Sequence, residues 1–409
     1  MPDKEDICVI GMGYIGLPTA AFLADRGHSV VGVDVSKNVV ETINNGNVHI
    51  QESGLDTIVK NMTLLGRLKV ELKPTFADFF FVCVPTPVRN NNGAPEPDLS
   101  SVKKAISSIV EFLKPGNCVI IESTLPVGAT EEISIDLKSR GVETDDIHIG
   151  YCPERVLPGN IMKELDSNDR VVGGLTSKSS KTIADFFRST LKGKVYETDS
   201  RTAEFCKLAE NSFRDVNIAF ANELSMIANK LGVDTRELID LANRHPRVDI
   251  LNPGPGVGGH CIAVDPWFLV AQNPAEARLI RAGREVNDAK TIWVVQQIVE
   301  KIHKIKLKLN REPIVGCLGV TFKANVSDIR ESPSLKIYNK LIESGVNMRL
   351  FDPHLDESSS FGNELVSGEH LLEISDLVVC LVKHTEYSNL NLKKFIKNRH
   401  IIDFCDLLQ

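Results

Sequence analysis

The sequence predicts an α/β protein in which two parallel-sheet domains are separated by a long helical region, and three features predict it. A short apolar run, DICVI (6–10), enters GMGYIG (11–16), a helix-like segment, and then a second apolar run, SVVGVDVS. No glycine or proline interrupts the chain from Ser200 to Leu231; thirty helical residues would span about 45 Å. From near Asn310 apolar runs alternate once more with a helical stretch.

At 409 residues the chain exceeds one ordinary core. It divides into residues 1–200, a Rossmann-like domain, residues 201–308, a helical domain with a cysteine loop, and residues 309–409, a second Rossmann-like domain. The composition, 42% hydrophobic and 25% charged, is that of a soluble globular protein. A net charge of −7 without a basic run argues against nucleic acid and against an anionic membrane surface as partners. The nine cysteines are scattered, and Cys8, Cys83, Cys118, Cys317 and Cys380 lie in apolar runs, which reads as a reducing compartment without disulfides. With no apolar leader and no stretch long enough to span a bilayer, a cytoplasmic protein is expected.

Gly11, Gly13 and Gly16 have the G-x-G-x-x-G spacing after a strand and before a helix. Such glycines permit a tight turn and let a pyrophosphate sit at the helix N-terminus, where N–H groups and the helix dipole favour an anion. Tyr14 and Ile15 lie within the turn. Asp34 ends the second strand, placed to accept from a ribose diol and to repel a 2′-phosphate, so NAD is expected rather than NADP. FFFVCVPTP (79–87) and CVIIESTLPVGAT (118–130) read as further strands, with Thr86 and Thr124 at their carboxyl ends, where ligands bind in open α/β sheets; threonine caps would look the same. IHIGYCPERVLPG (147–159) ends another strand and carries Glu154 and Arg155, RVVGG (170–174) is a strand, and Asn90 to Pro97 reads as a polar, movable loop.

On the long helix, Lys207, Asn211 and Arg214 stand at i, i+4 and i+7 and share one face. A solvated stripe would fit; interleaving with Phe213, Val216 and Ile218 suits a cleft instead. A shorter helix ends at His245-Pro246. PGPGVGGHCIAVDPWF (253–268) follows, placing Cys261 behind a run of glycines and Asp265 four residues on. A thiol in a loop rich in N–H donors is a candidate nucleophile; a structural cysteine beside a turn would read alike. No CxxC or HxxxH completes a metal site. Residues 275–306 read as helix. In the last region, EPIVGCLGVTF, VNMRLFDP, DLVVCLVKH and HIIDFCD are strands and SPSLKIYNKLIESG a helix. Its first turn, FKANVSDIRESP, offers Lys323 and Arg330, cations suited to a nucleotide diphosphate; a pair of surface charges is the alternative.

These segments together resemble the UDP-glucose/GDP-mannose dehydrogenase family along essentially the whole chain. The residues that carry the resemblance are GMGYIGLPTA (11–20), VPTP (84–87), ESTLPVGAT (122–130), YCPERVLPG (151–159), CKLAENSFRDVNIAFANELS (206–225), RHPRVDILNPGPGVGGHCIAVDPWF (244–268) and FKANVSDIRESP (322–333). The resemblance implies two Rossmann-like domains joined by a long helix that forms a homodimer core, with NAD on the first domain and UDP on the last. It implies a four-electron oxidation of a sugar C6 alcohol to a carboxylate. Cys261 matches the nucleophile, Lys207 and Asn211 the oxyanion-stabilising pair, Asp265 the acid that works with the lysine, and Glu154 a base for thioester hydrolysis. Many UDP-glucose members have a second glutamate where this chain has Pro158, which argues against UDP-glucose. RHPRV, AVDPWF and NSFRDVNIAFANE look like the branch acting on UDP-N-acetylhexosamines, the mannosamine epimer foremost and the glucosamine epimer as its rival. Arg155, Val156, Arg214, His245, Arg247, Gly258 and Lys323 are the implied substrate contacts, with Arg244 competing with Arg247, and Arg330 is an implied cofactor contact. A two-electron hydroxyacid dehydrogenase or a non-catalytic NAD-binding scaffold would need no set of Cys261, Lys207, Asn211 and Asp265.

Overall fold

The computed structural model describes residues 4–91, 94–355, 361, 364–390, 392 and 400–408. They fall into two compact units. One runs to Glu210 and includes Trp267–Gln272; the other holds Asn211–Pro266 and the chain from Asn273 onward.

The first unit is built on strands β1 (Asp6–Ile10), β2 (Ser29–Val33), β3 (Leu68–Glu71) and β4 (Phe79–Val82), then a hairpin of β5 (Val88–Asn91) and β6 (Ala94–Pro97), then β7 (Cys118–Ile121), β8 (His148–Tyr151), β9 (Arg170–Gly174) and β10 (Val195–Asp199). Eight of these strands form one sheet in the order β10-β9-β8-β7-β4-β1-β2-β3. It is parallel except where β8 meets β9, pairing Gly150 with Gly174 and Tyr151 with Gly173. Strands covered on both faces read as unbroken apolar runs, and FFFV of β4 is buried throughout. Its side chains alternate between two cores: Phe79 and Phe81 pack with Ile7 and Val9 of β1 on one face, Phe80 and Val82 with Cys8 and Ile10 on the other. Helices cover both faces, Gly16–Asp25 and Ser177–Thr190 on the first, Ser100–Ile109 and Ala129–Ser139 on the second.

Two expected strands are shorter than the apolar runs suggested. The run from Phe79 leaves strand geometry at Cys83, ahead of Pro85 and Pro87, and the run from Cys118 leaves it at Glu122, ahead of Pro126; proline has no N–H for the ladder. The expected loop at 90–97 is in part a hairpin, Val88 pairing with Pro97 and Arg89 with Glu96. Residues 92 and 93 lie outside the described residues; their sequence, Asn-Gly, is the strongest short hairpin signal.

The second unit has a parallel sheet of β11 (Ile314–Leu318), β12 (Asn347–Phe351), β13 (Leu377–Cys380) and β14 (His400–Asp403), in the order β12-β11-β13-β14. The helix Arg278–Leu309 turns Val294, Ile298, Ile302 and Ile305 into the core beneath that sheet, against Val315, Cys317 and Leu341. The spacing of four, four and three residues is the apolar stripe of an α-helix. The helix Ser200–Leu231 has the full length the sequence suggested and supplies residues to both units. Among the described residues, no helix is long and apolar enough to cross a membrane.

Candidate active site

The glycine turn sits at the carboxyl end of β1, where strand order reverses between β4 and β2, the ligand-binding crevice of an open parallel sheet. Each glycine has a different reason to be there. Gly11 has φ +94°, and a Cβ there would stand 2.7 Å from the Cys83 carbonyl oxygen. At Gly16 a Cβ would stand 1.7 Å from the Gly11 carbonyl oxygen, so the helix could not start so close to the strand. At Gly13 a Cβ would meet no protein atom within 4 Å. The middle glycine is therefore required by nothing in the protein and leaves the backbone open to a pyrophosphate, so the turn fits the dinucleotide its spacing implies. Tyr14 and Ile15 are half-buried against the core under the turn. The Asp34 carboxylate accepts from Met12 N (3.0 Å) and Ser36 N (2.9 Å), which fixes it beside the turn. Thr86 and Thr124 lie a few residues past the ends of β4 and β7 and are half-buried. Between those ends Ser123, which sequence reasoning missed, donates to the carbonyls of Val82 and Val84.

Glu154 follows β8 and is buried. Its main-chain carbonyl accepts from Lys207 Nζ at 2.8 Å, while its carboxylate accepts from Arg155 N and meets the Arg170 guanidinium at 2.5 Å. Arg155 pairs with Glu210 and donates to the Asp169 carbonyl; Val156 packs on the sheet core. Behind them is a buried cluster invisible in the sequence, because its members come from separate strands and a helix. Glu122 lies 3.9 Å from Arg170 and accepts from Thr19, on the glycine-turn helix, and from the Cys83 thiol. Burial pushes the Glu122 carboxyl up to about 7 against the pull of Arg170.

In the second unit, Asn211 Nδ2 donates to Asp265 Oδ2 at 2.6 Å. Asp265 is buried and opens the helix Asp265–Gln272, and its N–H donates to the Cys261 carbonyl at 2.8 Å. The i+4 partner of Lys207 and the acid four residues after Cys261 are thus brought together, a contact that spacing along the sequence did not indicate. Cys261 is exposed. Burial raises the thiols of Cys8, Cys83, Cys118, Cys152, Cys206, Cys317, Cys380 and Cys405, which makes them poor nucleophiles. Accessibility thus separates Cys261 from the other eight.

The cysteine loop rests on the turn between β11 and the helix Pro333–Glu343. A Cβ on Gly258 would stand 2.7 Å from the Glu331 carbonyl oxygen, and one on Gly259, at φ +82°, would stand 2.9 Å from the Phe322 ring. Lys323 is half-buried in that turn; Arg330 is exposed and forms a two-pronged pair with Asp328, at 2.8 and 2.7 Å. Arg214, Arg244, His245 and Arg247 are exposed, and His245 Nδ1 accepts from Arg247 N. One further cluster, His354, His384 and Glu386, has metal-like composition, with candidate ligand atoms within 4.8 Å of one another. The His384 ring is already engaged, since Nδ1 accepts from Asn325 N and Nε2 lies 3.1 Å from Thr321 and 3.3 Å from Asp352.

A glycine turn open to pyrophosphate at a sheet's switch point, with an acid just past the end of β2, is the arrangement of a dinucleotide-binding protein. Residues 5–191, 201–289 and 316–409 match the NAD binding, central and UDP binding domains of one family. The chain belongs to the UDP-glucose/GDP-mannose dehydrogenase family. It is 45% identical to an NDP-N-acetyl-D-galactosaminuronic acid dehydrogenase of Ralstonia nicotianae, over 98% of this chain and 96% of that one. It is also 45% identical to a UDP-N-acetyl-D-mannosamine dehydrogenase of Campylobacter jejuni, over 99% of this chain and 100% of that one. The solved UDP-N-acetyl-mannosamine dehydrogenase of Staphylococcus aureus superimposes with a TM-score of 0.88 at 39% identity, covering 99% of this chain and 96% of that chain. NAD is the cofactor, and the chain is an NAD-dependent UDP-sugar dehydrogenase.

Proposed function

We propose that the protein oxidises UDP-N-acetyl-D-mannosamine at C6 to UDP-N-acetyl-D-mannosaminuronate, consuming two NAD⁺ and one water, for a surface polysaccharide. The observation that carries the reading is the Asn211–Asp265–Cys261 arrangement, which couples the polar face of the long helix to the loop holding the accessible thiol. NAD⁺, when bound, accepts a hydride from C6 in each of two oxidations. The alcohol first loses its hydroxyl proton and gives the aldehyde. Cys261 Sγ then adds to the carbonyl carbon, because an aldehyde yields a second hydride readily only as an adduct. The thiohemiacetal becomes a thioester; water adds, the C–S bond breaks, and the thiol is regenerated with the uronate.

In this reading Lys207 and Asn211 stabilise the negative oxygen at C6, Asp265 holds Asn211 and shares proton transfer with the lysine, and Glu154 activates the hydrolytic water. Gly11, Gly13, Tyr14, Ile15, Gly16, Asp34, Thr86, Thr124 and Arg330 serve the cofactor. Arg155, Val156, Arg214, His245, Arg247, Gly258 and Lys323 serve the UDP-sugar. The functional divisions are residues 1–200, 201–308 and 309–409, and we place the reaction in the cytoplasm. The active form is a homodimer built on the long helix. Phe205, Phe213, Phe220 and Ile227 support it: they recur at steps of eight, seven and seven residues on that helix and are between 47% and 69% exposed.

The galactosaminuronate relative at 45% identity favours a second reading, in which a UDP-N-acetylgalactosamine-type sugar is oxidised by the same chemistry. The test is NADH formed per sugar consumed, with the manno, gluco and galacto epimers of the UDP-N-acetylhexosamine offered separately. Two NADH from the manno epimer alone is the expected result. Two NADH from another epimer would overturn the substrate and keep the chemistry. One NADH per sugar, or two from a Cys261→Ser variant, would remove the thiol mechanism.

A further inference from the structure

We infer that Asn222 is a positioning residue for the nucleophile loop: its side-chain amide clamps the loop's entry to the long helix, as Asn211 clamps its exit. The inference rests on the proposed role of Cys261 and adds how that thiol is held in place.

Asn222 is wholly buried on the helix Ser200–Leu231. Its Oδ1 accepts from Gly254 N at 2.9 Å, and its Nδ2 donates to Asn287 Oδ1 at 2.9 Å. Asn287, also buried, donates to the main-chain carbonyl and the carboxylate of Asp215, at 3.1 and 2.8 Å. The same Asp215 oxygen accepts from Arg284 Nη1 at 2.7 Å. Asn222 is therefore oriented from behind by a buried chain ending in an ion pair, which settles which end of its amide faces the loop. Next to it, Thr291 donates to the Pro255 carbonyl at 3.2 Å. Gly256, at φ +145°, comes so near Thr291 that a Cβ would stand 2.6 Å from the threonine oxygen. Upstream, Asn217 accepts from Leu251 N and donates to the Asp249 carbonyl.

Chain geometry explains why clamps are needed. Asn211 and Asn222 are eleven residues apart on one helix, a distance of about 16 Å. The ends of the loop they hold, Gly254 and Asp265, are also eleven residues apart, with a reach of about 36 Å when extended. More than half of that length is slack. The stretch 251–259 contains no helix or strand that would fix it by its own hydrogen bonds. Cys261 sits within this slack, and its reach to a C6 carbon depends on where the two ends are tied. A nucleophile displaced by about 1 Å costs on the order of a hundredfold in rate.

The second oxidation needs the thiol and the first does not, so a loosened loop leaves a distinct signature. The experiment uses the full-length protein with NAD⁺ and the UDP-sugar that it turns over, comparing wild type with Asn222→Ala and Thr291→Val. Readouts are NADH per sugar consumed, aldehyde trapped by hydroxylamine, the KM for NAD⁺, and the rate at which iodoacetamide alkylates Cys261. The expected result for Asn222→Ala is a fall from two NADH per sugar toward one, trapped aldehyde, oxidation of added sugar aldehyde slowed tenfold to a hundredfold, and an unchanged KM for NAD⁺. Thr291→Val removes only the neighbouring tie and should move the same ratio in the same direction by less; it carries the test if Asn222→Ala does not fold. A merely structural role would lower all rates in proportion to the folded fraction and hold the ratio at two. That outcome in a folded variant, with alkylation of Cys261 unchanged, overturns the inference. If Cys261→Ser itself still yields two NADH per sugar, the thiol reading fails first and this inference with it.

Discussion

Lys290 offers a test in which burial alone sets both sign and size. It lies on the helix Arg278–Leu309, is 3% exposed, donates to Ser225 Oγ at 2.6 Å and stacks its ammonium 4.0 Å from the centre of the Trp293 ring. Burial pushes its pKa from 10.5 down to about 7. An unfolded chain therefore binds more protons than the folded one between those two values, and stability rises with pH across that window. The stability is fully present above the unfolded value and is lost as pH falls through the folded one. Converting the two constants at 1.36 kcal/mol per unit gives a gain of about 3 kcal/mol from pH 7 to pH 9.5. Lys290→Met removes the titrating group and keeps most of the buried volume.

The assay is urea unfolding of wild type and Lys290→Met at half-unit intervals from pH 7 to 9.5. The chain has two tryptophans, Trp267 and Trp293. A Trp267→Phe background lets Trp293, in the second unit, report alone. Other titrating groups contribute equally to both proteins, so only the difference between the two curves is read. That difference should move in favour of wild type by about 3 kcal/mol as pH rises. A difference flat to within about 0.5 kcal/mol, less than the error of most extrapolations, would mean that Lys290 titrates normally and that its site is wetter than the packing implies.

Three further outcomes follow from the same structure. Asp34→Ala should raise the KM for NAD⁺ by about one to two orders of magnitude, from one or two lost ribose hydrogen bonds, and narrow the preference over NADP⁺, both read by steady-state kinetics. Glu122, its carboxyl raised from 4.5 to about 7, holds more protons folded than unfolded in that interval, so it weakens the fold as pH rises through it. Glu122→Gln should therefore gain stability relative to wild type between pH 5 and pH 8, measured by thermal unfolding. Phe213→Lys with Phe220→Glu should convert the proposed dimer to a monomer in sedimentation without lowering the melting temperature by more than a few degrees, since both side chains are more than half exposed.

The sheet of the first unit was legible because parallel strands buried on two faces leave unbroken apolar runs, and the glycine turn was legible because its spacing is steric. The pairing of Asn211 with Asp265 was half legible. One helix face and a four-residue offset were readable, but that the two residues meet depends on a loop with slack in it. Glu122, Arg170 and Thr19 gave no signal at all. Each is an ordinary polar residue at the end of a different strand or on a helix, and only the sheet order brings them within reach of one another. The hairpin at Val88–Pro97 was readable from Asn92-Gly93, and reading that stretch by its polarity obscured it.

The long helix shows why polarity alone misleads. At about 100° per residue, Glu204, Lys207, Asn211, Asp215, Asn222 and Ser225 fall within about 80° of its circumference. Four of these, Glu204, Asp215, Asn222 and Ser225, are buried. Phe213, Phe220, Ile227 and Leu231 lie on the opposite side and are exposed. The helix is thus inverted relative to an ordinary surface helix, polar toward the fold and apolar away from it. A buried polar face is costly unless its groups find partners, and most do here: Gly128 and Thr130 donate to Glu204, Lys207 donates to the Glu154 carbonyl and Gly254 donates to Asn222, while one carboxylate oxygen of Asp215 is left without a hydrogen bond. The homodimer proposed above rests on this outward apolar stripe, whose side chains are exposed.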